Sequence, residues 1–265
     1  MKPLLIWPGH KRKLAKKIVD MFPKGFGTYQ EPFFGSGAVF FEAHSRGFHV
    51  RGARLSDTNR DLVNFYYHLT KSPHCLHGRV MDMVVCSSES YYYRIRDYFN
   101  AIGEPSGFER AACFLYLNRA GYRGNYRLNS KGLYNVPYGH CKTVNLPGLD
   151  DFLAMSYALE RAPVTRRRYA TSLVVPVCGD VVYADPPYYT PGADDAFYPG
   201  KFGRDDQIAL AKRLRQLSNE GVTVITSNAD DPFIRDLYDG FKIETIEHGR
   251  GFTQRRRSEL LISNI

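Results

Sequence analysis

The chain has 265 residues, of which 43% are hydrophobic and 24% charged, a balance typical of a folded globular protein and not of a disordered one. Its 36 Lys and Arg against 27 Asp and Glu give a net charge of +9, which favours a polyanionic partner such as nucleic acid. The five cysteines are widely spaced without a CxxC pair, so they indicate neither a zinc site nor a disulfide framework. This cysteine usage predicts a reducing, cytoplasmic setting, and the sequence has neither a membrane-span-length apolar run nor a signal-peptide pattern.

The first part of the chain predicts the opening of a nucleotide-binding α/β fold. Apolar residues at helical spacing predict a helix over 10–22. The stretch TYQEPFF (28–34) predicts a strand, and the glycine turn GSG (35–37) leads into a helix that ends at Gly47. A second strand ends at Asp57. This order of strand, turn, helix and strand is typical of Rossmann-like folds.

Residues 60–145 differ in character from the rest. Three aromatic-rich helical patterns occupy 60–120, with no strong strand between them. The next stretch, GYRGNYRLNSKGLYNVPYGH (121–140), is rich in Gly, Asn, Tyr and basic residues, with a turn predicted at 129–132. We interpret 60–145 as an inserted, mostly helical domain that carries an exposed β-hairpin.

Strand and helix patterns alternate again towards the end of the chain. The stretches LDDFLAMSYALERA, DDQIALAKRLRQLSNEG and DPFIRDLYDG predict helices, and VVYA and VTVITS predict strands. FKIETIEH and SELLISNI predict a closing pair of strands. The alternation indicates a mixed, mostly parallel sheet with helices on both faces, built from 1–59 and 146–265.

The glycine turn and Asp57 form a first candidate site. Two glycines after a strand let the backbone turn tightly and approach a ligand. Asp57 follows Gly37 by roughly 20 residues, the spacing at which an acidic side chain can accept hydrogen bonds from ribose hydroxyls. The pattern is neither G-x-G-x-x-G nor a phosphate loop, so it favours a nucleoside ligand without phosphates over NAD. An ordinary strand–helix turn is the alternative.

The stretch YADPPYY (183–189) forms a second candidate site. Two adjacent prolines cannot continue a central strand, so the chain must leave the sheet in a fixed shape. Asp185 and the Pro186 carbonyl can each accept a hydrogen bond from an exocyclic amine, and Tyr188 can stack on a base taken out of a duplex. A turn that only ends a strand is the alternative.

Taken together, the motifs resemble the Dam-type DNA adenine N6-methyltransferases, the alpha group of amino-methyltransferases (D12 class). The resemblance follows the family's order along nearly the whole chain. The matching stretches are WPGHK (7–11), EPFFGSGAVFF (31–41), LSDTN (55–59), FLYLNRAGYRGNYRLNSKGLYNVPYG (114–139), DPPY (185–188), TSN (226–228) and RRRSELLISN (255–264).

The resemblance implies S-adenosylmethionine as methyl donor, a flipped-out adenine in double-stranded DNA as acceptor, and no metal. It implies a Rossmann-like methyltransferase fold, with a catalytic domain (1–59 and 146–265) and a target-recognition domain (60–145). The implied catalytic residues are Asp185, Pro186, Pro187 and Tyr188. The implied cofactor-binding residues are Trp7, Lys11, Phe33, Gly35, Ser36, Gly37, Asp57 and Asp185. The implied DNA-binding residues are Arg119, Tyr122, Arg123, Asn125, Arg127, Asn135, Pro137 and His140.

The resemblance also suggests individual roles. Trp7 and Lys11 would lie at the methionine end of the cofactor, and Asp57 at its ribose. Arg127 matches the arginine that reads a guanine on the strand opposite the final C of GATC. Residues 170–178 carry no clear acidic–aromatic motif for the cofactor's adenine.

Five positions depart from the family pattern in the DNA-reading parts, and two of them, Arg123 and Asn125, lie within YRGNYR (122–127). Ile6 stands where the family often has a lysine that reads the first base of the site. His140 and Cys141 replace a more basic and aromatic pair. We therefore expect a GATC-like site whose first base is read loosely or differently, unless Arg123 or His140 has taken over that contact.

Four alternatives to adenine methylation of DNA stay open from the residues. Cytosine N4 methylation uses the same chemistry, but Asp185 favours adenine because that group more often carries Ser there. RNA as substrate, a DNA-binding protein without catalysis, and an NAD-dependent oxidoreductase are the others. We expect a monomer or weak dimer.

Overall fold

The computed structural model describes residues 3–7, 9, 11, 14–50, 52–103, 107–140, 143–191, 202–248 and 257–265. The chain divides into two compact units. The first unit comprises Met1–Val19, Phe34–Arg51 and Asp57–Arg166, and the second comprises Asp20–Phe33, Gly52–Ser56 and Arg167–Ile265. Across these described ranges, no helix combines the length and apolar character needed to cross a membrane.

The described residues form a seven-stranded mixed sheet. Its strands are β1 (Tyr29–Glu31), β2 (Arg54–Asp57), β3 (Val164–Arg166), β4 (Val181–Ala184), β5 (Thr223–Ala229), β6 (Lys242–His248) and β7 (Arg257–Ser263). They are ordered β3-β2-β1-β4-β5-β7-β6. The pairs β1–β2, β1–β4 and β4–β5 are parallel, and β7 is antiparallel to β5 and β6. The carboxyl ends of β1, β4 and β5 therefore share one edge, where α/β folds place their ligands.

The second unit packs helices against its strands through an apolar core. Its helices are α8 (Tyr169–Ser172), α9 (Arg204–Asn219) and α10 (Pro232–Leu237). Leu210, Leu214 and Leu217 of α9 are fully buried with Val182 of β4 and Val224 of β5. Each such side chain contributes about 1.5–3 kcal/mol relative to an exposed one. This packing holds the ends of β4 and β5 in a fixed register.

The first unit is mainly helical. Its helices are α1 (Ala15–Asp20), α2 (Ala38–Ser45), α3 (Arg60–Lys71), α4 (Pro73–Val85), α5 (Glu89–Ala101), α6 (Phe108–Ala120) and α7 (Leu149–Leu159). Helix α6 is buried almost all round and packs against α3, α4 and α5. A helix that is apolar on every face belongs in the centre of its bundle. α6 therefore sets the position of the 121–140 segment, which follows it directly.

Most predicted elements are confirmed, with bounds that differ from the predicted ones at one or both ends. The strand predicted over 28–34 ends at Glu31, because Pro32 has no N–H to donate to a neighbouring strand. The helix predicted over 10–22 appears as α1 among the described residues. The closing pair of strands is confirmed as the antiparallel pair β6 and β7. Helix α4, which begins at Pro73, was not predicted.

Segment 121–140 folds back on itself more loosely than the predicted hairpin. Two isolated antiparallel bridges, Gly121 with Tyr138 and Leu128 with Tyr134, replace a continuous ladder. The predicted turn is confirmed, since the Gly132 N–H donates to the Asn129 carbonyl at 2.9 Å. The interpretation of 60–145 as an inserted recognition domain stays a prediction.

Candidate active site

Asp185 begins the turn that follows β4, in the second unit. It is partly buried, and its Oδ1 accepts a hydrogen bond from the Ser227 hydroxyl at 2.7 Å. Because Ser227 gives its proton to Asp185, its oxygen accepts from the Tyr183 hydroxyl, 3.0 Å away. Ser227 lies in β5, beside β4. The carboxylate is thus oriented by a chain of hydroxyls that crosses two strands.

The two prolines restrict the backbone of the turn, and their carbonyls differ in hydrogen bonding. The Pro187 carbonyl accepts from Gln207 Nε2 at 2.8 Å, and Gln207 Oε1 accepts from Asn228 Nδ2 at 2.9 Å. Gln207 and Asn228 are fully buried. Asn228 Oδ1 also accepts from the Tyr189 N–H at 3.1 Å. The Pro186 carbonyl, in contrast, accepts no hydrogen bond from any residue in the described ranges.

Tyr188 is anchored by its hydroxyl to the antiparallel part of the sheet. Its hydroxyl donates to Glu259 Oε2 at 2.5 Å. Glu259 lies in β7, opposite Ala229 of β5, and is buried. Burial, and then the nearby carboxylates of Asp185 and Glu259, raise the pKa of Tyr188 far above its ordinary value. The phenol therefore stays protonated and serves as a donor.

Three carboxylates surround one buried tyrosine in the second unit. Burial raises the pKa of Tyr183, and Asp185, Glu31 and Glu259 each add to this effect. Glu31, at the end of β1, is buried and accepts from the Tyr29 hydroxyl at 2.8 Å. Acidic side chains therefore lie at the DPPY turn, where Asp185 begins the turn and Glu259 accepts from Tyr188.

An aromatic cluster lies in the same unit, where β1 ends. Phe33 stacks on Tyr169 with ring centroids 5.5 Å apart and an angle of 24° between the ring planes. Phe202 packs edge-on against Phe33 at 5.6 Å and against Tyr169 at 5.5 Å. Phe33 and Tyr169 are only partly buried. Flat, partly exposed rings of this kind suit stacking on a heteroaromatic base.

The glycine turn lies in the first unit and needs both of its glycines. Gly35 and Gly37 have φ of 48° and 67°, in the left-handed region. A Cβ on Gly35 would lie 3.0 Å from Trp7 Cδ1, and a Cβ on Gly37 would collide with the rings of Phe34 and Phe41. Larger residues are therefore excluded on two grounds, backbone strain and space.

Asp57 holds the glycine turn by its carboxylate. Oδ2 accepts from the Gly35 N–H at 2.9 Å, and Oδ1 accepts from the Asn59 N–H at 2.9 Å. Burial raises the pKa of Asp57, although the backbone N–H groups of Asn59, Gly35 and Thr58 counteract part of this rise. The carboxylate therefore has a structural role in the turn, in addition to the predicted contact with a ribose.

The other predicted cofactor residues of the first unit are also buried. Trp7 stacks on Tyr126 with centroids 6.1 Å apart. Lys11 is buried and its Nζ donates to the Gly9 carbonyl at 2.9 Å. Ser36 lies buried between the two glycines of the turn. Of these residues, Trp7 lies directly against the glycine turn, where a Cβ on Gly35 would meet its ring.

Arg119 differs from the chain's surface arginines. Its Nε is buried without a hydrogen-bond partner among the described residues. Burial lowers the pKa of Arg119 below its ordinary value. An unpaired buried guanidinium nitrogen is costly unless an anionic or carbonyl partner satisfies it. A bound ligand could therefore supply the missing hydrogen-bond partner of Arg119, which is a predicted DNA-binding residue.

Two predicted DNA-binding residues have strained backbones. Arg123 and His140 have φ of 56° and 51°, values that residues other than glycine rarely adopt. Both are exposed. The Arg123 guanidinium lies over the ring of Tyr122, 5.1 Å from its centre, and Tyr122 is 44% exposed. Strain of this kind accumulates at functional positions.

Arg127 is oriented by its neighbour across the segment. Its Nε donates to Asn135 Oδ1 at 2.8 Å, and its second guanidinium nitrogen donates to the Asn135 carbonyl at 3.1 Å. Pro137 is exposed, and its carbonyl accepts from the Tyr122 N–H at 2.9 Å. Asn125 is partly buried and its carbonyl accepts from the Tyr134 hydroxyl. An exposed arginine with a fixed direction suits recognition of a base edge.

Sequence reasoning missed several residues that the structure joins to the site. They are Tyr183, Ser227, Glu259, Gln207, Asn228 and Tyr169. The TSN stretch (226–228) was a sequence signal for Ser227 and Asn228. Tyr169 immediately precedes residues 170–178, which carry no clear motif for the cofactor's adenine. Cys141 and all but the last residue of the basic stretch 250–257 lie outside the described residues. Over the ranges described, no cluster of His, Cys, Asp and Glu could hold a metal ion.

Comparison with known proteins agrees with these features. A family profile described as D12 class N6 adenine-specific DNA methyltransferase matches residues 7–252. The Retron Ec67 DNA adenine methylase of Escherichia coli is 35% identical over 91% of this chain and 82% of its own length. The DNA adenine methylase of Haemophilus influenzae is 31% identical over 100% of this chain and 92% of its own length. The DNA adenine methylase of Salmonella typhimurium is also 31% identical, over 98% of this chain and 94% of its own length. The chain belongs to the D12 class of N6 adenine-specific DNA methyltransferases.

Proposed function

We propose that the chain transfers a methyl group from S-adenosylmethionine to N6 of an adenine flipped out of duplex DNA, within a GATC-like site. The observation that carries this proposal is the DPPY turn. Asp185 is oriented by Ser227, and the Pro186 carbonyl accepts no hydrogen bond from the described residues. These two acceptors suit the two hydrogens of one exocyclic amine.

The catalytic roles follow from this arrangement. Asp185 and the Pro186 carbonyl accept the two N6 hydrogens, which increases electron density on the nitrogen and fixes its direction. Tyr188 stacks on the flipped base and offsets part of the cost of unstacking it. Glu259 fixes the Tyr188 ring through the hydroxyl. Positioning of this kind supplies most of the rate acceleration in such transfers.

The cofactor residues fit S-adenosylmethionine. When bound, S-adenosylmethionine supplies an electrophilic methyl group on a positively charged sulfur. In the second unit, the acidic side chains of Glu31 and Asp185 suit that charge, and Phe33 with Tyr169 suits the adenine ring. In the first unit, the glycine turn, Trp7 and Lys11 are the proposed contacts with the methionine end. Asp57, at the end of β2, is the proposed ribose contact.

The proposed DNA contacts lie in the first unit. Arg119 presents a buried nitrogen without a partner in the described part of the chain, and Arg127 is oriented by Asn135. We assign Arg127 to a guanine in the second half of the site, where a bidentate contact gives about 1–3 kcal/mol of discrimination. Ile6 offers no charge to the first base, so discrimination there is relaxed.

The remaining proposals concern assembly and setting. The chain acts on double-stranded DNA without a metal ion, as a monomer or weak dimer, in the cytoplasm. Residues 60–145 form the target-recognition domain, and 1–59 with 146–265 form the catalytic domain. Elution volume in the presence and absence of a duplex would reveal a stable dimer, which would contradict the assembly proposal.

A purified protein tests the activity. Four duplexes that differ only in the base pair before ATC are incubated with S-adenosylmethionine, and the digested nucleosides are identified by mass spectrometry. We expect N6-methyladenine from the parent protein, in more than one duplex, and none from Asp185→Ala. N4-methylcytosine, or no product from a folded protein that binds both duplex and cofactor, would overturn the proposal. Strict preference for G at the first position, retained after Arg123 and His140 are replaced, would contradict the interpretation of Ile6.

A further inference from the structure

Two residues near the N-terminus contact both of the proposed sites in the first unit. These residues are Ile6 and Trp7, called here the Ile6–Trp7 link. Trp7 packs against the glycine turn of the proposed cofactor site. Ile6 packs against the 121–140 segment, the proposed DNA-reading part. A change at one of the two sites can therefore reach the other through adjacent residues of the chain.

The contact of Trp7 with the glycine turn leaves no spare space. A methyl group on Gly35 would lie 3.0 Å from Trp7 Cδ1 and 3.1 Å from Nε1. The Gly35 N–H and carbonyl are both engaged, by Asp57 at 2.9 Å and by the Tyr66 hydroxyl at 3.0 Å. The turn and the indole ring therefore cannot move independently of each other.

Asn118 ties the other half of the link to the recognition segment. Its Oδ1 accepts from the Ile6 N–H at 2.9 Å, and its Nδ2 donates to the Ile6 carbonyl at 2.7 Å. The same Nδ2 donates to the Gly124 carbonyl at 2.8 Å. Asn118 is buried, so each broken bond would leave a backbone group unsatisfied. One amide therefore holds Ile6 and Gly124 in one arrangement.

Direct packing adds to these hydrogen bonds. Gly124 has φ of 65°, and a Cβ there would collide with the Ile6 side chain. Trp7 stacks on Tyr126, whose hydroxyl donates to the buried Asp61 at 2.6 Å. Both residues of the link are therefore packed against 121–140, between Arg123 and Arg127.

We propose that Asn118 and the Ile6–Trp7 link couple the two sites, an inference that rests on the proposed function. DNA bound at 121–140 and S-adenosylmethionine bound at the glycine turn each favour the same arrangement of residues 6 and 7. The ligand that binds first bears the cost of shifting the tightly packed link into that arrangement, so the second binds more tightly. By linkage, the factor is the same in both directions. Asn118 is a positioning residue in this scheme, since it contacts neither ligand.

The chain's single tryptophan makes the link visible, because Trp7 lies within it. The ligands are S-adenosylhomocysteine, which has no methyl group to transfer, and a duplex with the sequence methylated in the substrate assay. Calorimetry gives the Kd of each ligand with and without the other, and Trp7 emission is recorded in the same four states. For the parent protein we expect at least about 5-fold tighter binding of the second ligand. Each ligand alone should change the emission.

Two variants and one control separate coupling from folding. Asn118→Ala removes the three hydrogen bonds, and Ile6→Ala keeps them but removes the packing on Gly124. The control is Asn64→Ala, another buried asparagine of this unit, which donates at 3.1 Å to the Gly107 carbonyl. The coupling factor is the ratio of a ligand's Kd without and with the other ligand. We expect it to fall below about 2-fold in Ile6→Ala, and in Asn118→Ala if that variant folds. In these variants, the duplex alone should no longer change Trp7 emission. The control should keep the parent's factor.

The outcomes distinguish this inference from the proposed function. Independent binding of the two ligands to the parent protein would overturn the inference alone. A parent-like coupling factor in Ile6→Ala, and in a folded Asn118→Ala, would also overturn the inference and leave the proposed function intact. Failure of the parent protein to bind S-adenosylhomocysteine or any duplex would overturn the proposed function, and the inference with it.

Discussion

At the scale of single residues, the site depends on side chains that support the DPPY turn. Asp185 is oriented by Ser227, and Tyr188 by Glu259. The supporting residues lie in β5 and β7, which follow the turn by more than thirty positions. In each pair, the proposed contact with the base can be tested separately from the residue that orients it.

Asp185→Ala should abolish methyl transfer and leave duplex binding nearly unchanged, because affinity for DNA comes mostly from phosphate contacts. Ser227→Ala should lower kcat without abolishing it, since a hydrogen bond to a charged group contributes about 1.5–3 kcal/mol. Single-turnover rates and gel-shift affinities measure the two effects. Parent-like activity in Asp185→Ala would remove this residue from the mechanism.

Tyr188→Ala should lose most activity, because base–aromatic stacking contributes about 1–3 kcal/mol. Tyr188→Phe should keep much more, since the ring remains. It should nevertheless unfold at lower urea concentration, because Glu259 loses a buried donor at 2.5 Å. Urea unfolding and kcat are measured for both variants. Equal losses of kcat would assign the main role to the hydroxyl.

Asp57 predicts a pH dependence of stability with a definite sign. Burial raises its pKa in the folded chain, so its ionisation costs more there than in the unfolded chain. The stability that this carboxyl contributes is present in acid and is lost as pH rises through the folded pKa. The free energy of unfolding of the parent, minus that of Asp57→Asn, should therefore fall from about pH 4 towards neutrality. A difference that rises over this range would contradict the prediction.

At the scale of elements, the glycine turn between β1 and α2 has a matched control. Gly37 and Gly52 both have positive φ, but only at Gly37 would a Cβ collide with aromatic rings. Gly52→Ala should cost about 1–2 kcal/mol of unfolding free energy from backbone strain. Gly37→Ala should cost about 1–3 kcal/mol more. Equal unfolding midpoints would show that the rings of Phe34 and Phe41 move aside.

Local patterns predicted the elements better than the contacts between them. Strand β4, the turn after it and helix α6 follow from apolar runs and prolines within a few residues. The bonds of Ser227 to Asp185 and of Glu259 to Tyr188 depend on the order β4-β5-β7, which no local pattern encodes. For the same reason, a stacking role for Tyr188 could be predicted from the sequence, but the bond of its hydroxyl to Glu259 could not. The Asn118 contact with Ile6 joins residues 112 positions apart and was equally out of reach.

At the scale of the whole molecule, the net charge of +9 and the family agree on DNA as the substrate. Positive charge of this size favours association with any duplex, and it confers no sequence preference. We propose that the preference comes from the few side chains with fixed directions, above all Arg127, which Asn135 holds. We therefore propose that the chain methylates adenine at its DPPY turn, within one short DNA sequence.

Expression in cells that lack adenine methylation, followed by sequencing that detects modified bases, tests this claim most directly. The parent chain should produce N6-methyladenine in GATC-like sites, with the final C retained and the first base relaxed. Asp185→Ala, expressed to the same level, should produce none. A genome without N6-methyladenine in cells that contain the folded parent chain, or equal methylation by Asp185→Ala, would contradict the claim.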